Sequence, residues 1–215
     1  MGRARTMLDL TVDAVSLFLV QHESVHASEG GGTPSYFDRV LGGLTEAELR
    51  ARPAPGVNSV LWLLWHMART EDASVNLVVA SGRQVLDDDW IRRLGVTWRH
   101  IGTGMTDDEV SELSRKADVA AVRAYRNAVD RRTREVVRTL RPEAWDEPVT
   151  VVDTARAAAA GAFGPNAPWV DGVGFKPWQD QSRAARLSGA ALRHNALHIG
   201  EAVTVLGLAG RRLGI

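Results

Sequence analysis

Apolar residues recur at three- and four-residue steps through four long stretches of the chain, and two-residue alternation is scarce. In the first stretch, about Thr6 to Ser28, Leu8, Val12, Val15 and Leu19 form a stripe that His22 and His26 continue. Gly30, Gly31 and Gly32 stop it ahead of Pro34. A shorter helical piece, Tyr36 to Arg50, closes at Pro53-Ala54-Pro55-Gly56. A cap at Asn58 or Ser59 opens the second long stretch, which runs to about Ser81-Gly82 and turns Trp62, His66, Ala73 and Leu77 to one side. Arg83 to Gly104 shows no period and reads as irregular. The third stretch starts at the capping box Thr106-Asp107-Asp108-Glu109 and continues to about Leu140. The last, about Asp180 to Leu208, carries Leu187, Ala191, His194, His198, Ala202 and Val205 on its inward stripe.

Between the last two helices, Arg141 to Gln179 holds five of the eight prolines and three of the seven tryptophans. A long loop in a compact domain is either functional or disordered, and three tryptophans argue against disorder. The pattern therefore predicts an all-α protein, a four-helix bundle in one domain spanning 1–215, with an irregular loop at about 141–179 covering one end.

Composition narrows the chemistry. With 26 basic and 26 acidic residues the formal net charge is zero, which gives no reason to expect a nucleic-acid or membrane-surface partner. No apolar run approaches the roughly 18 residues that a membrane span needs, and the expected location is the cytoplasm. Cysteine is absent. That excludes disulfides, Cys-ligated zinc and a thiol nucleophile, and leaves His, Asp and Glu as the strong metal ligands.

Two histidine strings compete for a metal. His22-Glu23-Ser24-Val25-His26 spells H-E-x-x-H, the zinc-peptidase signature, and Glu46 or Glu48 stands at a workable distance for a third ligand. A triple-glycine stop follows at once, however, and no edge strand is readable to hold a peptide. His194 and His198 are four apart on a helix, so their imidazoles project from one side, about 40° apart. The residue after His194 is Asn195, so the glutamate that serves as general base in a peptidase is missing there. His66 lies on the inward side of the second long helix. Facing helices in a bundle approach to about 8–10 Å, close enough for His66 to complete a facial three-histidine set with open positions.

The segment L-G-G-L-T-E-A-E-L-R-A-R-P-A-P-G-V-N-S-V-L-W-L-L-W-H-M-A-R-T-E-D, followed much later by R-H-N-A-L-H-I-G-E, resembles the DinB-like superfamily. That group includes the metal-binding domains of mycothiol-dependent maleylpyruvate isomerases and the related bacillithiol and mycothiol S-transferases. The resemblance covers most of the chain. It implies a four-helix bundle in which a histidine of the second helix and an H-x-x-x-H pair of the last bind one divalent metal, which is zinc, nickel or iron among relatives. The matching positions are His66, His194 and His198.

Further roles are assigned around that centre. Glu201, three residues after His198, would orient an imidazole or accept a proton; Glu71 and Asp72 could serve similarly. His22 or His26 would line the pocket as an acid/base or substrate-orienting group. Trp62, Trp169 and Trp178 would wall it, with the long loop as a lid. Arg183, Arg186 and Arg193 could hold a carboxylate or phosphate. The resemblance implies a small-molecule transferase or isomerase that uses a low-molecular-weight, mycothiol-like thiol as metal-bound thiolate. The alternatives are a metal-dependent hydrolase acting through bound water, and a stress-associated metal- or ligand-binding protein without turnover. Apolar helix faces left outside the bundle would allow a homodimer.

Overall fold

The structure is a computed structural model and describes residues 13–28, 33–168, 170 and 175–211. Its regular elements are helical: α1 (Ala14–Ser24), α2 (Glu46–Arg50), α3 (Val60–Asp72), α4 (Asp88–Leu94), α5 (Asp107–Lys116), α6 (Val119–Thr139), α7 (Val151–Ala159), α8 (Arg183–Ser188) and α9 (His194–Leu208). No strand forms among the described residues, which bears out the all-α expectation. None of the helices there is long and apolar enough to cross a membrane.

α3 is buried at every position and is packed along α6 and α9. Ser59, not Asn58, caps it, accepting from Trp62 N at 3.0 Å. Leu61, Leu64 and Met67 are at most 1% exposed, and removing such side chains from water contributes about 1.5–3 kcal/mol apiece. A helix enclosed all round can carry charge only if the charge is paired. Arg69 accordingly donates to Asp72 at 3.0 Å, and Asp72 also receives the Tyr125 hydroxyl at 2.6 Å and the backbone N–H groups of Val85 and Leu86 at 2.7 and 2.9 Å. Asp72 thus pins the connection after α3 and serves the fold.

α3 continues into a π-helical stretch, Ala73–Val79, and another, Gly189–Arg193, joins α8 to α9. Such widened turns rotate the side chains beyond them relative to an unbroken α-helix. The second lies immediately before His194.

Several boundaries differ from the periodicity reading. α1 begins at Ala14, where Asp13 accepts from Ser16 N at 3.0 Å, and ends at Ser24, with Val25 as its C-cap; Thr6 to Val12 and the Gly30–Gly32 stop lie outside the described residues. The stretch from Thr106 to Leu140 is two helices. Ala117 is extended (ψ 135°), and Asp118 restarts the chain by capping Ala121 N at 2.7 Å, while its own N–H reaches Leu94 O at 3.0 Å. The segment from Arg83 contains α4, capped by Asp87 at one end and by Gly95 (φ 68°) at the other. The described part of the segment at 141–179 contains short elements: a 3₁₀ turn at Pro142–Trp145, α7 behind a Thr150/Asp153 capping box, and a 3₁₀ turn at Lys176–Trp178. Local capping chemistry explains the α1 start, the break at Asp118, α4 and α7.

Candidate metal centre

His66 is on α3, and His194 and His198 stand one turn apart on α9. Their Nε2 atoms converge. His194 Nε2 is 3.2 Å from His66 Nε2 and 3.2 Å from His198 Nε2. With zinc–nitrogen bonds of about 2.0–2.1 Å, two ligands of a tetrahedral ion stand roughly 3.3–3.4 Å apart, so the spacing is that of the edges of a coordination shell.

The outer ring nitrogens decide what the inner ones offer. His66 Nδ1 donates to the carbonyl of Ile101, and His198 Nδ1 donates to Glu201 Oε2 at 2.7 Å. Both imidazoles are therefore held as the tautomer whose Nε2 carries a lone pair, and both lone pairs face His194. Burial lowers the His66 pKa to about 4, with His198 adding to the effect; burial, then His66 and His198, hold His194 well below its ordinary value. Ring nitrogens that converge in this way, with burial disfavouring a proton on His66 and His194, fit a cation between them.

His66 and His198 are braced from outside. Trp62 stacks on His66 with centroids 4.6 Å apart and planes 16° from parallel. Glu201 is itself held by Asn58 Nδ2 at 3.0 Å, and the hydrogen bond from His198 depresses its pKa. Gly102 (φ +95°) brings the Ile101 carbonyl in. A Cβ there would stand 2.7 Å from Trp65 Cζ3 and 3.0 Å from Trp62 Cζ2, so only glycine allows that approach.

The remaining expected residues divide. Trp62 is at the centre; Trp169 lies outside the described residues; Trp178 packs against Phe163 and Phe175 in a separate apolar cluster and under the Arg186 guanidinium, 5.0 Å from its ring centroid. His22 and His26 do not join the three histidines. They meet Glu71 and Asp130: His22 Nε2 is 2.8 Å and His26 Nε2 3.1 Å from the Glu71 carboxylate, and His22 Nδ1 is 3.2 Å from Asp130 Oδ1. Burial opposes charge on His22, yet Glu71 and Asp130 raise its pKa; burial lowers that of His26 to about 4. Glu23 is exposed, which removes the general base of a peptidase site. Ile101, Gly102, Asp130 and Asn195 were not found from sequence.

The family model of the DinB superfamily matches residues 32–202. A solved structure titled as a conserved protein from Enterococcus faecalis superposes with a TM-score of 0.61 at 19% identity, covering 93% of this chain and 99% of that one, a likeness of fold. No functionally curated protein matches significantly.

Proposed function

The chain belongs to the DinB superfamily, and on that premise we propose that it is a metal-dependent transferase or isomerase of low-molecular-weight thiols, with His66, His194 and His198 as the ligands of one divalent cation. The observation that supports this most is the convergence of the three Nε2 atoms at 3.2 Å with the opposite nitrogens of His66 and His198 already donating. When bound, such a cation is a Lewis acid that lowers the pKa of a thiol and favours the nucleophilic thiolate. Because the three ligands are neutral, the chain leaves the cation's charge uncompensated.

The chain's own side chains supply the rest. Glu201 holds the His198 proton at Nδ1 and so fixes which electron pair points inward. Trp62 fixes the His66 ring plane and brings apolar surface to the centre. Arg186 suits the anchoring of an anionic substrate group. It is 7% exposed, its Nε has no acceptor, and among the described residues it has no ion-pair partner. A methyl placed on Gly189 would sit 3.1 Å from Arg186 Nη2 and 3.3 Å from Arg193 Nη2, so two guanidinium groups flank one point on the α8–α9 connection. A buried guanidinium is retained at a cost unless an anion meets it.

The test is turnover of electrophiles with and without a carboxylate, in the presence of bacterial thiols, by protein of known metal content. The expected result is metal- and thiol-dependent conjugation, lost in His198→Ala, with Arg186→Met raising KM for the carboxylated electrophile. Turnover without thiol would replace the reading with a metal-dependent hydrolase, and tight binding of a small molecule without turnover would replace it with a binding protein.

A further inference from the structure

The histidines of the H-E-x-x-H string are 0% and 1% exposed, deep between α1, α3 and α6. Glu71 beside them receives four hydrogen bonds: from His22 Nε2 at 2.8 Å, His26 Nε2 at 3.1 Å, Thr133 Oγ1 at 2.7 Å and Asn195 Nδ2 at 2.8 Å. A carboxylate has about four acceptor positions. Glu71 therefore acts purely as an acceptor, and both histidines present N–H at Nε2.

Their Nδ1 atoms are left over. Both are buried, and neither has a hydrogen-bond partner. Asp130 Oδ1 is 3.2 Å from His22 Nδ1, an ion-pair distance at an angle that falls short of a hydrogen bond. We propose that His22, His26 and Asp130, which offer one donor atom each within 4.8 Å of one another, bind a second divalent transition-metal ion.

The carboxylates around the two histidines suit that site, while the Arg126 guanidinium acts against positive charge at His26. Glu71 stands behind both imidazoles as Glu201 stands behind His198, the carboxylate–histidine–metal arrangement that sets tautomer and raises ligand basicity. Arg134 Nε donates to Asp130 at 2.8 Å and holds the carboxylate. Arg126 directs its guanidinium to Asn195 Oδ1 at 2.9 Å and Val25 O at 2.7 Å. Two imidazoles and a carboxylate suit zinc, iron(II), cobalt or nickel and disfavour magnesium and calcium. The carboxylates that favour a proton on His22 favour a metal cation in its place, and metal uptake would release that proton.

The site is closed, so its role is to fasten rather than to catalyse. α1 has little else to hold it: of Ala14–Ser24 only Phe18 and His22 are buried, and Leu17 and Val20 are 48% and 67% exposed. A cation shared between His22, His26 and Asp130 ties α1 to α6. Asn195, next to His194, links Glu71 to the three-histidine centre without belonging to it.

The experiment strips the full chain with a chelator, desalts it, and titrates it with cobalt(II) or zinc alone, counting bound equivalents. Wild type is expected to take two, His66→Ala one, and His26→Gln/Asp130→Asn one. The melting temperature of His66→Ala should rise on adding zinc, and that rise should vanish once His26→Gln/Asp130→Asn is added. One equivalent in wild type that is lost in His66→Ala overturns this proposal and leaves the three-histidine reading standing. One equivalent retained in His66→Ala and lost in His26→Gln/Asp130→Asn supports this proposal and overturns the other. If the double variant does not fold, anomalous scattering from metal-soaked wild-type crystals decides: a peak between His22 and Asp130 supports the site, and its absence rejects it.

Discussion

Glu201 and His198 share a hydrogen bond of 2.7 Å one helical turn apart on α9, and Asn58 from the start of α3 holds the other Glu201 oxygen at 3.0 Å. The pair joins the two helices that carry all three inward-facing imidazoles. Glu201 is therefore placed to set the orientation and the basicity of His198.

Glu201→Gln is expected to weaken divalent-metal affinity about 10–100-fold while leaving the helical spectrum unchanged. His198→Ala should weaken it further. Competition against a chromophoric chelator measures both. Equal affinities for wild type and Glu201→Gln would reduce Glu201 to a surface carboxylate.

Gly102→Ala tests the other brace. The left-handed backbone (φ +95°) and the 2.7 Å approach to Trp65 Cζ3 leave no room for a Cβ. The variant is expected to lose roughly 2–4 kcal/mol from strain and overpacking together. It should also bind metal more weakly, since the Ile101 carbonyl must withdraw from His66. Gly43→Ala, where nothing lies within 4 Å, is the neutral control in the same urea titration.

How far the sequence foretold all this depends on the range of each signal. The pairing of His194 with His198 is a matter of helical pitch, whereas α3 is buried all round, so His66 was singled out by the resemblance of its segment rather than by a polar face. The break at Asp118 was hidden because apolar spacing runs on across it, and the aspartate reads equally well as a solvated face. α4 was missed although Asp87 and Gly95 mark its ends, since Trp90, Ile91 and Leu94 make too short a run to show a period. The Ile101 carbonyl could not be found by residue type, because every residue has a carbonyl. Glu71 was noted as a neighbour of the centre, but its partners His22, Thr133 and Asn195 come from three other helices, and local patterns do not say which helices meet.

Asp72 is the densest polar junction of the fold. It accepts from Arg69, Tyr125 and Leu86 N at one oxygen and from Asn76 and Val85 N, at 2.8 and 2.7 Å, at the other. Asp72→Ala leaves the Arg69 charge buried without a carboxylate and is expected to cost about 3–5 kcal/mol. Tyr125→Phe removes one donor among several and should cost about 0.5–1.5 kcal/mol. Chemical denaturation of the two variants checks the ratio, and similar losses would mean that Asp72 is replaceable by water.

Glu48 provides the acid-sensitive contact. The Thr45 N–H and hydroxyl of the α2 capping box, with Arg211 after them, lower its pKa from 4.5 to about 2. A folded pKa below the unfolded one makes the ionised form the stabilising one. The contribution is complete above pH 4.5, falls away as pH drops through the interval toward 2, and is absent below it. It also ties α2 to Arg211, beyond the end of α9, so its loss should loosen the last turn of α9 before the core responds. Carbon-detected NMR titration of the Glu48 carboxyl should find a midpoint near 2, and amide exchange in the residues before Arg211 should quicken across the same interval. In Glu48→Gln both the midpoint and the pH dependence of that exchange should disappear. A Glu48 midpoint close to 4.5 in the folded protein would show that Thr45 and Arg211 do not hold the carboxylate in solution.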